Sequence, residues 1–392
     1  MEIAMNYPQD NKLIYFDNAA TTFPKPQSVI QATLDCMQNY CGNAGRGSHP
    51  IAMRSAEEVY SAREAVASLF GGEADNVVFT LNTTYALNMA IKGIMGRGGH
   101  ILISNMEHNS VLRPIVRLAQ GGKARYDVFT AYSCRKKLTA KEILSDITSR
   151  LRSDTKAIAC IHSSNICSYS LPIREIGQFC RRHGLIFIVD AAQSAGHMPI
   201  DIEKDCIDIL CMPAHKGLYS PQGLGIMILR RGLKLDTLIE GGNGVRSLDT
   251  SMGDCAPERY EGGTLCLPAI AGLNKGIELV RQIGIDAISA HEKSLWHMTL
   301  ERLDGIRRVS IYDAEDAGSV MLFNIDGYSP ERVGEMLADK GFCLRTGYHC
   351  SALAHKALGT EKIGGVRIGF GVFNTEGEVD ALCRAIDEIA HS

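Results

Sequence analysis

Asp190 closes an apolar run at 185–189, where a carboxylate is costly unless it meets a cation. Gln193 follows one helical turn later. Lys216 stands in the segment Pro213-Ala-His-Lys-Gly217, again directly after an apolar run. A lysine in such a place is ordinarily a solvated residue at a strand tip. Desolvated, it becomes a nucleophile toward carbonyl carbon. An aspartate and a lysine at neighbouring strand ends match what pyridoxal phosphate (PLP) requires: the lysine bonds the cofactor aldehyde, and the carboxylate keeps the pyridine nitrogen protonated so that the ring accepts electrons. Asn82, Thr83 and Thr84 open a helical pattern and offer amide and hydroxyl donors to a phosphate. His108, after the run 100–104, can stack on a ring or serve as an ordinary strand-end histidine.

The elements that must position these groups follow a regular order. Short β-like runs at 77–80, 100–104, 157–162, 185–190, 207–212 and 225–229 alternate with amphipathic stretches at 50–69, 84–94, 140–151 and 173–183. Near-continuous apolar strands separated by helices predict an α/β fold with a parallel sheet covered on both faces. Ligands of such sheets gather at the carboxyl ends of the strands. Polar clusters follow these runs at once, among them Asn82 to Thr84, Glu107 to Asn109, His162 to Asn165, Asp190 to Gln193 and His215-Lys216. From about residue 268 the pattern changes to a long helix at 268–283, extending toward 303, then strands at 320–325, 342–345 and 365–369 and a closing helix at 376–390. This predicts a smaller α+β domain.

Composition removes several function classes. The chain has 392 residues, 45% hydrophobic and 22% charged, enough apolar content for a large core. Its net charge of −3 lacks the basic excess of a nucleic-acid groove. No apolar run approaches the length of a bilayer span, and the polar stretch 1–12 does not read as a secretory signal, so a cytoplasmic protein is expected. The thirteen cysteines are odd in number and include no C-x-x-C pair. Cys160, Cys180, Cys206, Cys211 and Cys383 lie in apolar stretches and are expected to be small buried hydrophobes in a reducing compartment. No P-loop or dinucleotide fingerprint is present, and no cluster has metal-ligand spacing. His349 and Cys350 are adjacent and would point apart on a strand.

Eight motifs in order make the chain recognisable: YFDNAATT at 15–22, NAGRGSH at 43–49, EHN at 107–109, VDAAQ at 189–193, His215-Lys216, RYEGGT at 259–264, RTGYHC at 345–350 and VRIG at 366–369. It resembles the class V aminotransferases of PLP fold type I, and within them the cysteine desulfurase and selenocysteine lyase group. The resemblance implies a large domain at 16–267, with a mainly parallel seven-stranded sheet, and a small domain formed by 1–15 and 268–392. It also implies PLP as cofactor and a homodimer. In that family pattern Lys216 bonds the cofactor, Asp190 pairs with the pyridine nitrogen, Gln193 bonds the ring oxygen and His108 stacks on the ring. Asn82, Thr83, His215 and, from the second subunit, Thr264 hold the phosphate. Asn165, Arg367 and Arg345 face the substrate, with Arg367 gripping its carboxylate as a fork.

Cys350 is implied as the nucleophile that takes sulfur. Its place after Gly347, beside His349 and near Arg345, predicts a cationic setting that favours thiolate. Cys343 lies in an apolar run and is expected in the core; Cys36 and Cys41 receive no role. The implied reaction converts L-cysteine to L-alanine, leaving sulfur on Cys350 as a persulfide for an acceptor protein or thiol. Selenocysteine lyase is the near alternative. A non-catalytic sulfur-relay scaffold is a third, opposed by the presence of Lys216, Asp190 and Arg367. Departures from the pattern are Pro213 and Ala214 in place of a hydroxyl residue and glycine, the extra Gly217, Tyr348 in place of a histidine, and the Leu265-Cys266-Leu267 flank of Thr264. Ser220 is a candidate to supply the missing phosphate contact.

Overall fold

A computed structural model of the chain describes residues 13–45, 47–133, 136–244, 247–312 and 318–392. The stretch 1–12, and Arg46 within the motif at 43–49, lie outside the described residues.

Seven strands form the main sheet, in the order Val77–Thr80, Gly225–Leu229, Ile209–Pro213, Ile186–Asp190, Thr155–Ile161, His100–Ser104 and Arg125–Phe129. All neighbours are parallel except Gly225–Leu229, which runs antiparallel to both of its partners. Every residue of Ile209–Pro213 and of Gly225–Leu229 is buried, as expected where helices cover both faces. The strand Thr155–Ile161 shows the two-sidedness directly. Ile158 and Cys160 belong to the apolar core on one face of the sheet, whereas Ala157 and Ala159 belong to the core on the other, which includes Leu87, Ala90 and Ile91 of the helix Thr83–Met95. The strand Arg125–Phe129, absent from the sequence reading above, is only partly buried at this sheet edge.

A second sheet of four antiparallel strands runs Val309–Tyr312, Val320–Ile325, Gly365–Gly369 and Arg345–Gly347. Its core joins Phe323, Val366 and Ile368 to Trp296 of the helix Ile285–Leu303 and to Leu382 and Ile386 of the helix Glu376–His391. The single long helix expected from 268 is two helices, Leu267–Ile283 and Ile285–Leu303. Gly284 between them has φ of 87°, a left-handed angle that stops the first helix. The short strand Ile14–Tyr15 pairs with Phe342–Cys343, which brings the run 15–22 against the C-terminal part of the chain.

None of the described cysteines is in a disulfide. Cys160, Cys180, Cys211 and Cys383 are buried as expected. Cys206 is only partly buried and has φ of 56°, so it is a turn residue rather than core. Cys343 is likewise only partly buried. Among the described residues, no helix is long and apolar enough to cross a membrane.

Candidate active site

The strand ends converge on one cavity of about 280 Å³. Asp190 and Pro213 are the last residues of their strands, and Asn82 and His108 each follow a strand and cap the next helix. The Asn82 side chain accepts from the Tyr85 N–H at 2.9 Å, and His108 Nδ1 accepts from the Ser110 N–H at 3.1 Å. Two helix N-termini are thereby turned toward the cavity, a setting that favours an anion. Gly225 lies beside this loop because a Cβ there would meet the Asn82 carbonyl carbon at 2.3 Å.

Eleven of the twelve residues singled out in the sequence line this cavity: Asn82, Thr83, His108, Asn165, Asp190, Gln193, His215, Lys216, Arg345, Cys350 and Arg367. Thr264 lies elsewhere, in a separate cavity of about 260 Å³ beside Asn43 and Tyr60. Thr84, read with Asn82 and Thr83 as a phosphate donor, lines the strand-end cavity too; the sequence reading missed Ala19, Ala20, Ser110 and His349 as lining residues, and it gave no separate role to Asp17. Asp17, Ala19 and Ala20 sit inside the motif at 15–22, which was their only signal.

Asp190 is buried and Lys216 is half-buried at the cavity wall. Burial raises the Asp190 pKa, while the Ala192 N–H and Lys216 oppose the rise. Burial lowers Lys216; Arg367 adds to that and Asp190 opposes it. Each partner supports the other's charge, and desolvation works against both. Asp190 Oδ1 accepts from the Ala192 N–H at 2.9 Å. Gln193 Nε2 donates to the Ala19 carbonyl at 2.9 Å, which fixes the amide at the cavity wall. Burial takes His108 down to about 4, helped by Lys216, Arg113 and Arg367, so its imidazole is neutral at pH 7. His215 is lowered to about 4 by burial, Lys216 and Lys25, and its Nδ1 meets Thr21 Oγ1 at 3.0 Å. Thr83 Oγ1 is buried without a hydrogen-bond partner among the described residues and lies at a helix N-terminus. An orphaned hydroxyl in that position awaits an acceptor.

Behind this layer Glu107 is fully buried. It accepts from Ser104 Oγ and from the Ile161 N–H, and burial pushes its pKa up to about 8.

Arg367 is 3% exposed and divides its fork: Nη1 donates to the Asn165 carbonyl at 2.9 Å and Nη2 to Asp17 at 2.7 Å. Its Nε is buried without a partner among the described residues. The Asn165 side chain is occupied as well. Its Nδ2 donates to the His349 carbonyl at 2.7 Å and its Oδ1 accepts from Ser351 Oγ at 2.5 Å.

These bonds hold the loop that carries Cys350. His349 and Cys350 have φ of 50° and 57°, both left-handed, and the Ser351 N–H closes the turn onto the Tyr348 carbonyl at 3.0 Å. The pair is therefore a tight turn past the strand Arg345–Gly347, not a strand with its side chains pointing apart. Each non-glycine residue in that region costs about 1–2 kcal/mol. The Cys350 carbonyl is anchored by the Asn109 N–H at 2.8 Å, and Cys350 itself is exposed.

Two expectations change here. His349 supplies no positive charge to Cys350, because burial and Arg367 take its pKa down to about 3 and its ring nitrogens face Arg345 O and His355. Ser220 is fully buried, donates to the Ala269 carbonyl at 2.8 Å, and does not reach the cavity, so it cannot replace the contact that Pro213 lacks.

Residues 14–382 match the family described as Aminotransferase class-V. A protein of Methanothermobacter thermautotrophicus named probable cysteine desulfurase is 31% identical over 96% of this chain and 94% of its own length. One of the same name from Halalkalibacterium halodurans is 30% identical over 96% and 93%. Among solved structures, the apo cysteine desulfurase of Thermococcus onnurineus superposes with a TM-score of 0.88 at 29% identity, covering 99% of both chains. The cysteine desulfurase CsdA of Escherichia coli gives 0.85 at 26% identity, covering 97% of this chain and 95% of that one. With the family match spanning nearly the whole sequence, the chain belongs to the class V aminotransferase family.

Proposed function

We propose that the chain is a PLP-dependent cysteine desulfurase that converts L-cysteine to L-alanine and takes the sulfur onto Cys350 as a persulfide. The observation that carries this reading is the placement of an exposed thiol, Cys350, on the same cavity as Lys216 and the buried Asp190. A transaminase would leave that strained, anchored thiol loop without a task.

The residues present fit PLP. Lys216 offers a desolvated amine for the covalent bond, Asp190 a carboxylate for the ring nitrogen, and the neutral His108 a face for the ring. The orphaned Thr83 hydroxyl, Asn82 and His215 lie together at a helix N-terminus that suits the phosphate. When bound there, PLP supplies an electron sink that acidifies the substrate α-carbon and weakens its Cβ–S bond.

Lys216, held below its usual range, gives up its proton readily and is suited to carry the α-proton away and back. Arg367 orients the substrate carboxylate, with Arg345 beside it. Cys350 attacks as thiolate: a bond forms between its Sγ and the substrate sulfur, the Cβ–S bond breaks, and the electron pair stays on the carbon skeleton. Protonation of that carbon completes alanine. The terminal sulfur then passes to an acceptor thiol or protein.

The domain division at 267/268 belongs to the same reading, with 16–267 carrying the cofactor and 1–15 together with 268–392 carrying the Cys350 loop. Thr264 lies outside its own chain's cavity, which supports a homodimer in which it reaches the partner subunit's phosphate.

The test is alanine release from L-cysteine by the PLP-loaded protein, run beside Cys350→Ala and with L-selenocysteine as second substrate. Alanine from L-cysteine that disappears in Cys350→Ala supports the desulfurase. Alanine from selenocysteine alone, unaffected by that substitution, makes the protein a selenocysteine lyase.

A further inference from the structure

His355 plays no part in the chemistry above, yet it is fully buried behind the Cys350 turn. It lies in the short helix Ala352–Leu358, and its backbone N–H donates to the Ser351 carbonyl at 3.0 Å. Its Nε2 is 3.5 Å from His349 Nδ1, and its Nδ1 is 2.7 Å from Thr360 Oγ1. The two imidazoles are inclined by 16°, with their centroids 5.7 Å apart.

The carbonyl at the far end sets the direction of this chain. Arg345 O can only accept, so His349 Nε2, 3.2 Å away, carries a hydrogen. In a neutral ring Nδ1 of His349 is then the acceptor, and His355 Nε2 must be its donor. His355 Nδ1 is left as an acceptor for the Thr360 hydroxyl. Through the two rings the bonds run one way, from Thr360 through His355 and His349 to Arg345; the Thr360 hydroxyl also lies 3.4 Å from the His355 carbonyl, and the Tyr348 backbone also bonds His355. Protonating His349 at Nδ1 would set its hydrogen against that of His355 Nε2. Burial keeps both rings neutral, His355 at about 4 and His349 at about 3.

The turn needs such a brace because two consecutive non-glycine residues are left-handed and would otherwise relax. Asn165 and Asn109 hold its carbonyls, but among the described residues the His349 side chain is hydrogen-bonded by Arg345 O and His355 alone. We propose that His355 is a positioning residue, which through the one-way chain Thr360–His355–His349–Arg345 O keeps the left-handed turn in the geometry that presents the Cys350 thiol to the cavity. The role in turnover rests on the desulfurase reading; the brace itself does not.

The test uses PLP-loaded wild type, His355→Leu, His355→Gln and Thr360→Val. Readouts are hydrogen exchange of the peptide covering 345–358, kcat and KM for L-cysteine, and alanine release from L-selenocysteine, whose weaker carbon–selenium bond needs less help from Cys350. In His355→Leu the turn amides exchange faster and kcat for L-cysteine falls by about tenfold, with KM and the selenocysteine rate within about twofold of wild type. His355→Gln, which keeps a donor toward His349, recovers most of the loss, and Thr360→Val gives a smaller loss of the same kind. If His355→Leu does not fold, Thr360→Val alone carries the test. Unchanged exchange and unchanged L-cysteine turnover overturn the proposal, as does an equal fall with both substrates. A wild type that makes no alanine from L-cysteine sinks the desulfurase reading instead, and hydrogen exchange still decides the brace.

Discussion

Arg345 and Arg367 stand directly opposite each other in antiparallel strands, so two like charges share one face of the four-stranded sheet. Asp17 lies between them, 2.7 Å from Arg367 Nη2 and 3.9 Å from Arg345 Nη1. One carboxylate thus holds two cations that are 22 residues apart from each other and more than 300 from Asp17. Asp17→Asn takes this cluster from a net +1 to +2. It should lower stability by about 2 kcal/mol, since buried Arg367 loses its ionic partner while the site stays partly exposed. It should also lower KM for an amino-acid carboxylate. Thermal melts and steady-state kinetics read both, and an unchanged KM would remove Asp17 from the electrostatics of substrate binding.

Glu107 should give stability a pH dependence of unusual sign. Its folded pKa of about 8 exceeds its ordinary 4.5. Between those values the folded protein holds a proton that the unfolded chain has lost, so the contribution falls as pH rises, by about 1.4 kcal/mol per pH unit at most. Glu107→Gln resembles the protonated acid and should flatten this part of the curve. Melting temperatures of both proteins from pH 5 to 8 test it; parallel curves would show that Glu107 ionises freely.

The left-handed turn predicts an order among substitutions at one position. Cys350→Gly removes the Cβ that opposes φ of 57°, whereas Cys350→Ala keeps it. Both should lose desulfuration, yet the glycine variant should be the more stable by about 1 kcal/mol. Denaturant titration gives the order, and a more stable alanine variant would mean that the turn is not strained.

Gly217 should tolerate no side chain. A Cβ there would sit 2.2 Å from the Ala195 carbonyl oxygen and 2.6 Å from the His197 ring, which is itself tied to buried Glu292 at 2.9 Å. Backbone cannot yield as a flexible side chain can. Gly217→Ala should therefore lose about 3 kcal/mol or fail to fold, and any folded fraction should load less PLP because Lys216 is displaced. A variant with normal melting and normal PLP absorbance would contradict this packing.

Lys216 should be the point of covalent attachment. Borohydride reduction of the PLP-loaded protein should fix the cofactor to a peptide containing Lys216, and intact-mass measurement of Lys216→Ala should show no such adduct. An adduct at another lysine, such as the half-buried Lys25, would displace Lys216 from its assigned place.

What the sequence determined by itself was local in origin. Short continuous apolar runs and helical faces of period 3.6 are written in neighbouring residues, so the strands at 77–80, 100–104 and 225–229 and the helix at 173–183 were legible to the residue. Asp190 and Lys216 were legible because a charge directly after an apolar strand demands an explanation from the sequence alone. Tertiary structure decided the rest. The register that sets Arg345 against Arg367, and the pairing that brings Asp17 between them, depend on strands far apart in the chain. The left-handed conformation of His349 and Cys350 is paid for by bonds from Asn165 and Asn109, which no local propensity encodes. His349 looked cationic in sequence because histidine beside arginine is ambiguous there; burial among His355, Arg345 and Arg367 makes it neutral. Ser220 shows the same limit from the other side, since its hydroxyl was the right chemistry within four residues of Lys216 and the fold turned it to the Ala269 carbonyl instead.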